Sequence, residues 1–203
     1  MGYSSFQLSE VVKKFDLQVN REQNLFDLIT EVTYSEYLQF VLDNYLPLAI
    51  DINTEKARSE MIITPILLEL KQEIKHKISL FSGKPLTVNA EQGLNGECDY
   101  IISLSPEQLF IRAPIVTLVE AKNEDIIGGL GQCVAQMLAA QIFNEREGNK
   151  ITSVYGVVTT GTTWRFLRLT DKRVDIDTQE YYISNVPKIM GIFHSIINSE
   201  LGG

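Results

Sequence analysis

The sequence predicts an α/β fold in which helices flank a mixed central sheet, with a mostly helical lobe in front of it. First, strand-like runs separated by short polar turns predict an antiparallel meander. Second, a long apolar helical pattern separates the last of these runs from the next strand, which predicts a parallel crossover. Third, two further strands joined by Gly161-Thr162-Thr163 predict a hairpin.

Residues 1–52 are predicted to form the helical lobe, packed on a main domain of residues 53–203. A short strand is predicted over 15–19. Apolar positions across 22–46 recur at helical spacing, and Pro47 is expected to close this helical region. Because nothing in the lobe suggests chemistry, we interpret it as a packing element, with a partner-binding surface as the alternative.

The main domain is predicted to open with a helix that begins at Asn53 or Thr54 and runs to about Ile78. Pro65 is expected to kink or restart it. Polar or glycine-containing turns bound the strands that follow. The predicted strands are 86–90, 98–104, 109–112, 115–121, 151–160 and 164–169, with helices after 123–125 and over 186–197.

Composition favours a cytoplasmic protein. No apolar run approaches the ~20 residues of a membrane span, and no basic and apolar leader is present. Cys98 and Cys133 are too few for a disulfide framework. The net charge of −8 argues against broad, non-specific nucleic-acid affinity. However, residues 1–57 hold four Lys/Arg and nine Asp/Glu, so most of the acidity lies in the front lobe.

Five polar residues interrupt the apolar pattern of the main domain: Glu60, Asp99, Glu120, Lys122 and Gln132. Side chains two apart on a strand share a face, so Glu120 and Lys122 point the same way where their strand leaves the core. By itself this pair predicts a salt-bridged strand end. Asp99 is expected on the polar rim at the start of the second meander strand.

These residue types suit a divalent metal and an anionic substrate. Mg²⁺ commonly takes one or two carboxylates together with water and substrate phosphate. Asp99 and Glu120 can supply the carboxylates, the Ala121 carbonyl is a further candidate ligand, and Glu60 is a candidate for a second metal. Lys122 could stabilise charge on a phosphate in the transition state, and Gln132 could hold Lys122 or the phosphate.

Two assignments have rivals, and other site types are poorly supported. Glu55 competes with Glu60, and Gln136 shares a helix face with Gln132. The glycine-rich stretch 128–131 lacks the pattern of a phosphate-binding P-loop. A basic cluster near the hairpin is interpreted as a solvated edge rather than a DNA contact. It comprises Arg165, Arg168, Lys172 and Arg173.

In this order the five residues resemble the motif set of the PD-(D/E)xK nuclease-like superfamily. Ser59-Glu60, Thr64-Pro65-Ile66-Leu67 and the stretch from Tyr155 to Trp164 are also similar to the N-terminal nuclease domain of type I restriction enzyme motor subunits. The resemblance covers roughly residues 54–170. It implies a restriction-endonuclease-like core of order α-β-β-β-α-β. The 21 positions between Asp99 and Glu120 require the additional strand at 109–112.

The resemblance implies an endonuclease that uses Mg²⁺ or Mn²⁺ to cleave DNA phosphodiesters. The implied catalytic residues are Glu60, Asp99, Glu120, Lys122 and Gln132. The implied metal ligands are Asp99, Glu120, the Ala121 carbonyl and Glu60. The implied partner is DNA, and an enzyme that cuts both strands often works as a homodimer. The alternative is a catalytically silent nuclease fold that acts as a binding or regulatory subunit, with a protein partner on the front lobe.

Overall fold

Helices cover both faces of one mixed sheet, and eight strands of that sheet lie within the residues that the computed structural model describes (2–75, 77–149 and 151–201). The strands are β1 (Gln18–Asn20), β2 (Ser79–Pro85), β3 (Glu97–Ser103), β4 (Ile115–Ala121), β5 (Val154–Thr159), β6 (Thr163–Thr170), β7 (Arg173–Ile176) and β8 (Tyr181–Tyr182). The helices are α1 (Leu8–Phe15), α2 (Glu36–Ile52), α3 (Glu55–Arg58), α4 (Thr64–Glu73), α5 (Ile126–Arg146) and α6 (Val186–Leu201).

The strand order is β1-β7-β6-β5-β4-β3-β2, and β8 pairs with β6. The β2-β3-β4 meander is antiparallel, as predicted. Helix α5 carries the chain from β4 to a parallel β5, and β5 and β6 form the predicted hairpin. The α/β class and the mixed sheet flanked by helices are therefore confirmed.

Two of the predicted meander strands are wrong. The first strand of the meander is β2, which precedes the predicted segment 86–90. The predicted strand 109–112 lies in an irregular connection, since the described residues 104–114 contain no strand. Leu109 is 85% exposed, so this short apolar run has no packing surface that would favour a strand. The Gln108 side chain instead bonds the backbone of Leu80 on the outer edge of β2.

The helical prediction for 22–46 holds only in its second half. Helix α2 begins after Ser35, whose hydroxyl accepts from the Leu38 amide, and it continues through Pro47 to Ile52. Before it, residues 21–35 are irregular. Their apolar side chains pack into the core without a helix, because tertiary bonds hold the backbone: the Val32 amide donates to the Pro187 carbonyl.

Residues 2–52 contact several parts of the main domain. Helix α1 packs on α5, and β1 pairs with β7 at the edge of the sheet. Helix α2 packs on α3 and α4, on the other face of the sheet. The Tyr3 hydroxyl donates to the Leu86 carbonyl, which fastens the start of the chain to the segment after β2.

The predicted helix around Pro65 consists of α3, a π-helical turn (Ser59–Ile63) and α4 in direct succession. A proline inside an α-helix clashes with the carbonyl four residues earlier. In the π turn the Thr64 amide bonds the Ser59 carbonyl, five residues back. This wider turn accommodates Pro65 without ending the helix, and π turns are frequent at functional sites.

Two apolar layers enclose the sheet. One lies between the sheet and helices α2, α4 and α6, and the other between the sheet and helices α1 and α5. Strand β4 is buried along its whole length because both layers meet on it.

Helix α5 is long and apolar enough to cross a membrane by length and composition, but 67% of its apolar window is buried inside the fold, as expected of a core helix.

Candidate active site

The candidate site lies where β4 ends and β3 begins. Tyr100 pairs with Val119 in the antiparallel register, so one step further along the strands Asp99 lies beside Glu120. Asp99 Oδ2 accepts a hydrogen bond of 2.8 Å from the Ala121 amide, and its carboxyl is close enough for its charge to act on Glu120. The structure thus brings together the two carboxylates that the sequence predicted, from neighbouring strands.

Glu120 is held from both sides. It is only 1% exposed. Its Oε1 accepts from Lys122 Nζ at 2.6 Å, and its Oε2 accepts from Gln136 Nε2 on α5 at 2.8 Å. Lys122 Nζ also lies 3.3 Å from Gln132 Oε1. Strand and helix therefore fix the carboxylate and the ammonium relative to each other.

Both glutamines of α5 belong to the site, with different partners. Gln132, the predicted residue, contacts Lys122, whereas its rival Gln136 donates to Glu120 over a shorter distance. Their four-residue spacing on one helix face makes both contacts possible. The sequence could not rank them because both lie on the same face of the helix.

The charges of the site are unbalanced. Burial, and then the charge of Asp99, raises the pKa of Glu120 to about 7 in spite of Lys122. Burial also raises the pKa of Asp99, although the bond from the Ala121 amide opposes this. Burial works to lower the pKa of Lys122, but the charge of Glu120 outweighs it and the net pKa is raised. Two adjacent carboxyl groups thus face one ammonium, and the site is short of positive charge.

The carboxylate oxygens of the site are of the kind that a hard divalent cation prefers. Asp99 and Glu120 offer carboxylate oxygens, and Ala121 lines the same cleft as Asp99. Within the described residues, no three or more His, Cys, Asp or Glu side chains are grouped closely enough to hold a metal ion. Two protein carboxylates with water in the remaining positions is the arrangement that Mg²⁺ commonly accepts.

Glu55 and Glu60 line the opposite wall of the cleft, whose volume is about 340 Å³. The Glu60 side chain is 60% exposed and lies 3.8 Å from Lys56. It lines the cleft together with Asp99, whereas Glu120 is not among the lining residues. Glu55 is close enough for its charge to raise the pKa of Lys122. Both glutamates therefore face the cleft, and Glu55 is the one that acts on the predicted ammonium.

A hydroxyl network in the cleft wall was not predicted. The Tyr100 hydroxyl lies 2.5 Å from Ser59 Oγ and 2.8 Å from Thr64 Oγ1, and it also donates to the Ser59 carbonyl. One donor and two acceptor positions are thereby used, so this hydroxyl is fully bonded. The network ties the π turn to β3 and sets the width of the cleft. Its only sequence signal is Pro65, whose helix needs the wider turn.

Every residue of the basic cluster near the hairpin is ion-paired. Arg165 pairs with Glu180, Lys172 with Asp16, and both Arg168 and Arg173 with Asp175. The interpretation as a solvated, internally paired edge accounts for all four residues. The four basic residues thus share three carboxylates, which offset most of their positive charge.

Comparisons of the chain with protein-family models, with curated proteins and with solved structures find no match.

Proposed function

We propose that the chain is a metal-dependent endonuclease of the PD-(D/E)xK type, which hydrolyses DNA phosphodiesters with Mg²⁺ or Mn²⁺. The observation that carries the proposal is the placement of Asp99 and Glu120 side by side on neighbouring strands at a cleft that Asp99 lines, with the Lys122 ammonium 2.6 Å from Glu120. A carboxylate pair that lacks a compensating charge favours a divalent cation, and a lysine beside it suits an anionic substrate.

The order of elements supports a restriction-endonuclease-like core. The continuous helix of α3, the π turn and α4 precedes the meander β2-β3-β4, and α5 and β5 follow. This is the order α-β-β-β-α-β that the resemblance implies. Together with the adjoining parts of β3 and β4, the irregular connection 104–114 fills the 21 positions between Asp99 and Glu120, so the additional strand expected at 109–112 is not needed.

Each residue of the site has a distinct role in this proposal. Asp99 and Glu120 would hold the metal, with the Ala121 carbonyl as a further candidate ligand. When bound, a divalent metal offsets charge on the phosphate and makes a nucleophile available from water. Lys122 donates to a phosphate oxygen as charge develops on it. Gln136 holds Glu120, and Gln132 steadies Lys122.

The proposal is tested by incubating the purified chain with Mg²⁺ or Mn²⁺ and duplex, single-stranded or branched DNA. We expect cleavage of at least one of these substrates and Mn²⁺ binding by calorimetry, and loss of both in Glu120→Gln. The matched control is Glu124→Gln, an exposed glutamate four residues further on, which should cleave like the wild type. Absence of both cleavage and Mn²⁺ binding in the wild type would overturn the proposal.

A second candidate function is a catalytically silent binding or regulatory subunit. The outer face of α2 favours it, because the large apolar side chains of Tyr37, Phe40 and Leu48 are exposed there. The ion-paired basic cluster also leaves little free positive charge on that edge of the sheet. This function requires a stable complex with another protein that survives Glu120→Gln and is lost in Phe40→Asp.

A further inference from the structure

Gly129 occupies a position on α5 where glycine has a cost. It is the fourth residue of a 21-residue helix and is buried. Glycine inside a helix is less favourable than alanine. A buried glycine at such a position therefore indicates that a neighbouring group needs the space of its missing side chain.

The group that uses this space is the stem of Lys122, together with Val158 on β5. A Cβ atom added at Gly129 would lie 3.1 Å from Lys122 Cγ and 3.2 Å from Lys122 Cε. The same atom would lie 2.7 Å from Val158 Cγ1. Because two carbons of the lysine stem approach the glycine, the stem runs along the surface of α5 at this point.

The path of the stem ends at the ammonium contacts already described. Lys122 Nζ reaches Glu120 Oε1 at 2.6 Å and Gln132 Oε1 at 3.3 Å. Gln132 follows Gly129 by three residues and so lies on the same helix face. Helix α5 thus leaves space for the aliphatic part of the Lys122 side chain at Gly129 and provides a hydrogen-bond acceptor for its ammonium at Gln132.

We infer that Gly129 is a positioning residue, whose missing side chain lets Lys122 lie flat on α5 and places its ammonium against Glu120. The relevance of this placement to cleavage rests on the proposed nuclease function. The placement itself does not, and it is measured separately.

The test compares Gly129→Ala with a control glycine that packs against the same helix. A Cβ atom at Gly156 on β5 would meet Met137 Sδ at 2.4 Å and Cys133 Sγ at 2.6 Å, with Lys122 not among its nearest neighbours. Gly156→Ala should therefore disturb the packing of α5 on the sheet without a direct clash with the Lys122 side chain. A further variant, Gly129→Ala with Val158→Ala, removes the clash with Val158 and retains the one with Lys122.

The first measurement is the rate of reductive methylation of each lysine, followed by peptide mass mapping with the exposed Lys56 as internal reference. In the wild type, Lys122 should react slowly because it is mostly buried and bonded to two oxygens. We expect Lys122 to react several-fold faster in Gly129→Ala and in the double variant, and at the wild-type rate in Gly156→Ala. Should Gly129→Ala fail to fold, the double variant decides.

The second measurement is DNA cleavage by the same variants. A catalytic group displaced by about 1 Å can cost up to 100-fold in rate. The contacts of 3.1 and 3.2 Å require Lys122 to move by only a few tenths of an ångström, so Gly129→Ala should lose roughly several-fold in kcat, less than about 100-fold, with an unchanged KM, whereas Gly156→Ala should keep its kcat. An unchanged Lys122 methylation rate in folded Gly129→Ala and in the double variant would overturn the inference. A wild type that does not cleave would overturn the proposed function alone.

Discussion

Two strands of the same sheet carry an acid and a base two residues apart, and the two pairs behave in opposite ways. One is Glu120 and Lys122 at the end of β4, and the other is Arg173 and Asp175 on β7. Both carboxylates are almost completely buried, at 1% and 2% exposure. On sequence spacing alone, either pair is a salt-bridged strand.

The two pairs differ in the next charged group that acts on the buried carboxylate. Burial works to raise the pKa of Asp175, but hydrogen bonds from Asn20, Arg168 and Arg173 outweigh it and the net pKa is lowered. Glu120 instead meets a second carboxyl, Asp99, and its pKa is raised. Where cations are in excess, as around Asp175, the buried carboxylate is stabilised in its charged form and the cluster is structural. Where carboxylates are in excess, as around Glu120, the charged form is disfavoured, and such a shifted pKa is typical of a functional site.

The largest expected effect comes from removing the base of each pair. Lys122→Met should lower the cleavage rate by at least about 100-fold, because a charged donor to the reacting phosphate is lost. Arg173→Met should leave cleavage unchanged and lower stability, since Asp175 loses one of its two cations. DNA cleavage assays and urea denaturation of both variants measure the two effects. Equal effects of the two variants on cleavage would break the comparison.

The next largest effect is on stability. Asp175→Asn should lower the free energy of unfolding by about 2 kcal/mol, because hydrogen bonds to two arginines lose their charge. The matched variant is Asp177→Asn, whose carboxylate is also buried but accepts only from neutral donors, Tyr181 and Gln179. Urea denaturation at pH 7 compares the two, and Asp177→Asn should cost less.

The same cluster predicts a pH dependence. The pKa of Asp175 is lowered in the folded protein, so its stabilisation is present above the ordinary aspartate pKa of about 4 and is lost as the pH falls below it. Asp175→Asn should therefore lose less stability than the wild type between about pH 4 and pH 2. Thermal denaturation across this range measures the difference, and parallel curves would show that Asp175 does not contribute.

Asp99→Asn should have the opposite sign to Asp175→Asn. It removes a buried negative charge next to Glu120 and keeps an oxygen for the Ala121 amide. We expect a gain in stability of about 1 kcal/mol, as is common when a strained site residue is neutralised. Mn²⁺ binding by calorimetry should be lost at the same time. A destabilised Asp99→Asn would mean that the carboxylate pair is structural.

The smallest expected effect is that of Gln132→Ala. Its contact with Lys122 is long, at 3.3 Å, so the expected loss is about 0.5 kcal/mol, or about twofold in cleavage rate. The control is Gln141→Ala on the same helix, whose amide bonds Glu145, away from Lys122. A loss of more than about tenfold in Gln132→Ala would show that Gln132 itself contacts the substrate.

Parts of the fold followed directly from sequence pattern. Strand β4 has the predicted bounds, because its apolar residues allow no other assignment between two polar turns. Asp125 caps α5 by accepting from the Gly128 amide, within the predicted capping stretch. The segment 22–35 shows the limit of such patterns. Its helical spacing produced no helix, since bonds to α6 and to the segment after β7 hold its backbone.

The sequence by itself determined the strand with Glu120 and Lys122, the helix with Gln132 and Gln136, and the crossover that joins them. Local spacing decides these, because residues two apart on a strand or four apart on a helix must share a face. Only the tertiary structure decided that Asp99 would lie beside Glu120 while Asp175 would lie between two arginines. The pairing of strands distant in sequence sets which charges meet in the interior, and a spacing of two residues carries no information about that third group.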